Sequence, residues 1–94
     1  MVFKLGMSDV IRLAIRNFIE ENFLFQIGDQ NLADDQSLLG AGVVDSTGVL
    51  ELVAFLEDTF HLQIADKDII PQNLDTIDAI TAFVERSQLV AEAA

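Results

Sequence analysis

Cysteine is absent from this 94-residue chain, which excludes a disulfide framework, a thiolate nucleophile and a cysteine zinc site. A single histidine, His61, rules out two-histidine motifs and most histidine-based metal centres. No glycine-rich loop of the Walker or dinucleotide type occurs. Asp66 and Asp68 have the spacing of a calcium loop but lack its glycine and closing glutamate, so no metal site is expected. No apolar run approaches the roughly 20 residues of a membrane span. Residues 1–7 lack an apolar run of signal-peptide length, and a cytoplasmic protein is the expectation. Basic residues are also scarce, five lysines and arginines against sixteen acids. The resulting net charge of −11 repels nucleic acid and anionic lipid, so neither is expected as a partner.

What is present is apolar residues, 51% of the chain, enough for one globular core. A chain this short forms a single domain and buries roughly 60–65% of its unfolded surface, which leaves little for an enclosed active site. The charge is uneven: residues 1–33 hold three bases against four acids, residues 34–94 two against twelve. An acidic field of this kind keeps a small domain soluble and also steers basic protein surfaces toward it.

The spacing predicts a first helix over 9–22, with Ser8 as N-cap and Asp9 in the first turn. Val10, Ile11, Ala14, Ile15 and Phe18 form its apolar side, and Phe23, Leu24 and Phe25 an apolar cluster beneath the next loop. Residues 28–45 read as a long connection containing Gly28, Gly40 and Gly42. Its leucines and valines predict an ordered path, with one helical turn near Ser37. Gly40 and Gly42 permit the dihedrals needed to enter the next helix.

The strongest helix signal follows. Val49, Leu52, Val53, Leu56 and Phe60 fall in one stripe about 100° wide, with Thr47, Glu51, Ala54 and Asp58 opposite and Leu50 and Glu57 on the flank. Phe55 departs from the stripe. Either the long loop covers it or it is an exposed apolar contact. His61–Ile64 is an extended exit. Residues 66–70 make a short turn stopped by Pro71. Asp75 or Thr76 caps a last helix with Ile77, Ile80, Phe83 and Val84 inward, fading near Ser87. With no period-two segment, the fold class is all-α: a small four-helix bundle of three main helices and one short one, with a long loop between the first two. Residues 1–94 form one domain with an ordered core over about 8–88.

Ser46 is the residue with chemical interest. Asp45-Ser46 is a helix start: with Asp45 as N-cap, Ser46 occupies the first helical turn and projects its hydroxyl toward solvent at the positive end of the helix dipole. A serine nucleophile needs an activating base, and His61 lies four turns away, so no catalytic residue is assigned. Ser46 is therefore a target of chemistry, and a phosphate ester there suits the unpaired N–H groups of a helix start. Asp-Ser by itself is an ordinary capping sequence.

The surroundings add more. Gly42-Val-Val-Asp45-Ser46-Thr47, then Leu50-Glu51-Leu52-Val53, then Leu56-Glu57-Asp58-Thr-Phe60 and Ile64, closely resemble the acyl carrier protein signature, and the helix pattern extends the resemblance over nearly the whole chain. The resemblance implies that Ser46 carries a 4′-phosphopantetheine arm, installed from coenzyme A by a phosphopantetheinyl transferase. The arm's thiol holds an acyl or aminoacyl group as a thioester, so the protein needs no cysteine of its own. Asp45 then helps bind the transferase or its magnesium. Thr47, Leu50, Glu51, Ala54, Glu57 and Asp58 form the face read by partners: an acyl- or aminoacyl-activating ligase and downstream enzymes of a fatty-acid, polyketide or nonribosomal-peptide-type pathway. The resemblance implies a monomeric carrier, not an enzyme. Thr47 replaces a leucine, Gly48 an acid and Ala54 a bulky apolar residue found in many fatty-acid carriers, which points to other partners. The alternative is an acidic helical interaction module that never receives the arm.

Overall fold

The computed structural model describes residues 7–24 and 33–93, with side chains described over 9–23 and 33–88. Helix α1 spans Met7–Ile19 and continues as a π-helical segment over Glu20–Leu24. The helix already includes Met7, so Ser8 lies in the first turn and is not its N-cap. Asp9 near the start and Arg16 in the last turn complement the helix dipole. Ile11, Ile15 and Ile19, one turn apart, are fully buried. Val10, expected inside, is 49% exposed, and Leu13 also faces out. The neighbouring helices cover only the narrow line through the isoleucines, and Val10 sits about 100° away from it.

Helix α2 spans Ser46–Phe60, as its stripe predicts, and buries Leu52, Val53 and Leu56, with Val49 and Phe60 half-buried. At its end His61 adopts the left-handed conformation (φ 58°), and the Leu62 N–H donates to the Glu57 carbonyl at 3.1 Å. This stops the helix and turns Leu62 into the core. A single 3₁₀ turn covers Asp66–Asp68, and a short helix α3 spans Pro71–Leu74. Pro71 therefore opens a helix and does not stop one. As first helical residue it loses no hydrogen bond, and its fixed φ favours the start.

Helix α4 spans Ile77–Ala93 and runs about a turn and a half beyond Ser87, where the pattern predicts its end. Thr76 is its cap: Oγ1 accepts the Ala79 N–H at 2.9 Å. Ile77, Ile80 and Val84 meet the α1 isoleucines and Leu52 and Leu56 in one core, each side chain contributing about 1.5–3 kcal/mol by burial. Thr81, also buried, satisfies its hydroxyl on the Ile77 carbonyl at 2.8 Å. The bundle is thus all-helical, three main helices and one short one, among the described residues.

Charge closes the bundle on the outside. Arg12 pairs with Asp78 at the head of α4 and with Asp34, and Arg16 pairs with Asp34. The Asp78 N–H also donates to the Asp34 carbonyl at 3.0 Å. This clasp fixes the long loop at Asp34 against α1 and α4.

Candidate functional site

The long loop delivers the chain to Ser46, and Asp75 organises its last part. The Asp75 carboxylate accepts the Ser37 hydroxyl at 2.6 Å and the Leu39 N–H at 2.9 Å, while its backbone carbonyl accepts the Leu38 N–H at 2.6 Å. Asp75 thus serves the loop and leaves the capping of α4 to Thr76. The expected turn near Ser37 is present: the Ala41 N–H donates to the Ser37 carbonyl at 3.0 Å and the Gly42 N–H to the Leu39 carbonyl at 3.1 Å. Residues 28–32, the start of the connection, lie outside the described residues, as does Phe25. Gly42 has φ 75°, a left-handed conformation that favours glycine, whereas Gly40 does not. What Gly40 supplies is room: a Cβ there would stand 2.9 Å from the Ser37 hydroxyl oxygen. Leu38 and Val44 then enter the core and pin the loop on either side of the turn.

Asp45 is extended and its carboxylate accepts the Gly48 N–H at 2.7 Å, the predicted N-cap. This places Ser46 as the first residue of α2, with an exposed side chain. His61 stands at the opposite end, about 20 Å away along the helix axis. The serine has no histidine to act as its base. Its hydroxyl can accept a group delivered by another protein, and a phosphate there meets first-turn N–H groups and the positive end of the helix. Phosphopantetheine attachment fits this arrangement. Among the described residues no group of side chains could hold a metal ion.

Thr47, Leu50, Glu51, Ala54 and Asp58 are all exposed on one side of α2, as their spacing predicts. Leu50 is 63% exposed, the largest value among the big apolar side chains described. Glu57 differs from this group. It is half-buried and its Oε2 accepts the Ile64 N–H at 2.9 Å, so it holds the exit of the helix.

Among the described residues, Phe55 is half-buried against helix α1 and is not a free contact. Its ring stacks on Phe18 with centroids 4.2 Å apart, and Phe18 meets Phe23 edge-on at 5.8 Å. Phe60 closes the row on the other side of Phe55, at 6.2 Å. The row begins at Phe23, packed against Gly48 in the first turn of α2. Gly48 is buried, and a Cβ there would stand 2.9 Å from the Phe23 ring and 3.1 Å from Val44 Cγ1. Any side chain at this position requires the Phe23 ring or Val44 to shift. No sequence signal identifies this contact, because it depends on where α1 ends.

Two hollows flank the first turns of α2. One, of about 330 Å³, is lined by Asn22, Phe23, Val43, Asp45, Thr47 and Glu51. The other, of about 90 Å³, is apolar and lined by Leu39, Val49, Ile69, Ile70 and Leu74.

No family model matches the chain. It is similar to curated relatives. A D-alanyl carrier protein of Streptococcus suis (strain 05ZYH33) is 30% identical over 74 residues, covering 79% of this chain and 90% of the relative. D-alanyl carrier proteins of Streptococcus pyogenes serotypes M1 and M5 are 35% identical over 54 residues, covering 57% of this chain and 68% of the relative. With that identity over nearly the full length of a relative, the chain belongs to the carrier-protein family of the acyl-carrier-protein type.

Proposed function

We propose that this protein carries an acyl or aminoacyl group on a 4′-phosphopantetheine arm esterified to Ser46. The observation that carries the reading is the exposed hydroxyl at the first residue of α2, behind an Asp45 cap and a loop held by Asp75. In the loading step the Ser46 oxygen bonds to the β-phosphorus of coenzyme A. The phosphoanhydride bond breaks, adenosine 3′,5′-bisphosphate leaves, and the serine proton passes to a base of the transferase or to water. The arm supplies a terminal thiol that holds the cargo as a thioester. The chain's own residues position the serine, and Asp45 is also available to the transferase or its magnesium.

The named relatives favour an aminoacyl cargo, D-alanyl being the group in their name. A ligase that activates the amino acid and an enzyme that receives it are then the partners. Thr47, Leu50, Glu51, Ala54 and Asp58 form the docking face, with Glu57 at its edge also serving the helix exit. Its acids raise encounter rate and specificity more than affinity, which suits a carrier that must leave each enzyme. Incubation with coenzyme A, magnesium and a promiscuous transferase is expected to add one phosphopantetheine mass to the protein and none to Ser46→Ala. Wild-type protein left unmodified by several active transferases overturns the proposal in favour of an interaction module without an arm.

A further inference from the structure

We propose that the arm on Ser46 rests in the hollow between the end of α1 and the first turns of α2, held against Phe23. This rests on the proposed attachment at Ser46. The choice between the two flanking hollows is decided by size and chemistry. The α1-side hollow, about 330 Å³, lies at the lower end of volumes that hold small organic ligands, whereas the α3-side hollow, about 90 Å³, falls far short.

The chemistry follows the order of groups along the arm. After the phosphate comes a methylene, then a carbon bearing two methyl groups, then a carbon bearing a hydroxyl, then amides. The hollow is lined next to Ser46 by Asp45 and Thr47, and its apolar walls are Phe23 and Val43. Asn22, Thr47 and Glu51 supply polar groups for the hydroxyl and the amides. Asp45 and Glu51 disfavour the phosphate inside and leave it at the helix mouth, while their oxygens accept hydrogen bonds from neutral donors. The site exists because Gly48 lacks a side chain. Its bare backbone lets Phe23 approach to the distance of a clash with any Cβ, so the ring forms the wall of a hollow beside the serine. Asn22 and Phe23 are brought there by the π-helical segment that ends α1.

The test uses loaded protein, with loading confirmed by intact mass. Amide NMR spectra of unloaded and loaded protein are compared, with nuclear Overhauser effects measured from the two arm methyls. Shifts at Asn22, Phe23 and Glu51, with methyl contacts to the Phe23 ring, are expected. In protein confirmed as loaded, Gly48→Ala and Asn22→Ala are each expected to lose at least half of the shift at Phe23 or Glu51. Shifts confined to 45–47, or shifts running to Leu39, Ile69 and Ile70, overturn the assignment while leaving attachment intact. A protein that gains no mass overturns attachment and, with it, this site.

Discussion

The two flanks of the Ser46 turn are built by opposite means. On the α3 side a side chain fills a need: the Asp75 carboxylate gathers Ser37 and Leu39 and draws the loop down onto an apolar surface. On the α1 side a missing side chain creates one: Gly48 admits Phe23 and leaves a hollow with polar edges. The serine stands between a clamped flank and an open one. Precise presentation of one hydroxyl therefore depends on a loop that cannot drift, while freedom beside it depends on a residue that occupies no space.

Asp75→Ala attacks the clamped flank and is expected to have the largest effect, a loss of about 2–3 kcal/mol. It removes a carboxylate accepting two hydrogen bonds and leaves the Leu39 N–H and Ser37 hydroxyl without it. Chemical denaturation measures the loss, and amide exchange should accelerate at Leu39 and Gly40. Asp75→Asn retains one acceptor and should lose less. Equal losses for the two variants would show that the carboxylate is not the clamp.

Gly48→Ala attacks the open flank. Alanine gains up to about 1 kcal/mol of helix propensity, but overpacking against Phe23 and buried Val44 costs about 1–3 kcal/mol. The balance is a net destabilisation of about 1 kcal/mol with displacement of the Phe23 ring. A variant more stable than the wild type, with Phe23 unmoved, breaks the account of this flank.

The outer face of α2 provides the contrast. Glu51→Lys with Asp58→Lys is expected to change stability by less than about 0.5 kcal/mol, since both side chains are exposed. Partner association should slow markedly at low salt and less at high salt, read by stopped-flow mixing. Rates unchanged at both salts place the docking surface elsewhere.

The clasp is expected to show a small, salt-sensitive effect. Asp34→Asn should cost at most about 1 kcal/mol, and the cost should shrink at high salt, because these pairs are partly exposed. Arg12 is held above its ordinary pKa, first by its hydrogen bond to Asp78 and then, against desolvation, by the charges of Asp78, Asp34 and Asp9. A cation favoured in the folded state stabilises fully below its unfolded pKa and loses that contribution as pH rises through the folded value. That window lies at strongly alkaline pH, so across the neutral range salt, not Arg12 titration, loosens the clasp.

Much of α2 was legible in the sequence because its own register determines it. The Leu52–Leu56 stripe and the exposed Thr47, Glu51, Ala54 and Asp58 follow from 100° per residue, and the Asp45 cap from its residue type ahead of the helix. Features that depend on a second element were not legible. Phe55 breaks the stripe because α1 brings Phe18 to stack on it. Val10 is exposed because the neighbouring helices cover only one line of α1. Asp75 and Thr76 are both good caps by type, and only the position of Ser37 decides which one serves the helix. Gly48 is the clearest case, since its role lies wholly in the ring packed against it.

The proposed attachment requires that Ser46 bear the arm in the working protein. Peptide mapping by mass spectrometry of protein purified from its native host tests this most directly. A phosphopantetheine adduct is expected on the peptide containing Ser46, bearing an aminoacyl group where the thioester survives. Ser46 found unmodified in protein that still binds its partners would contradict it.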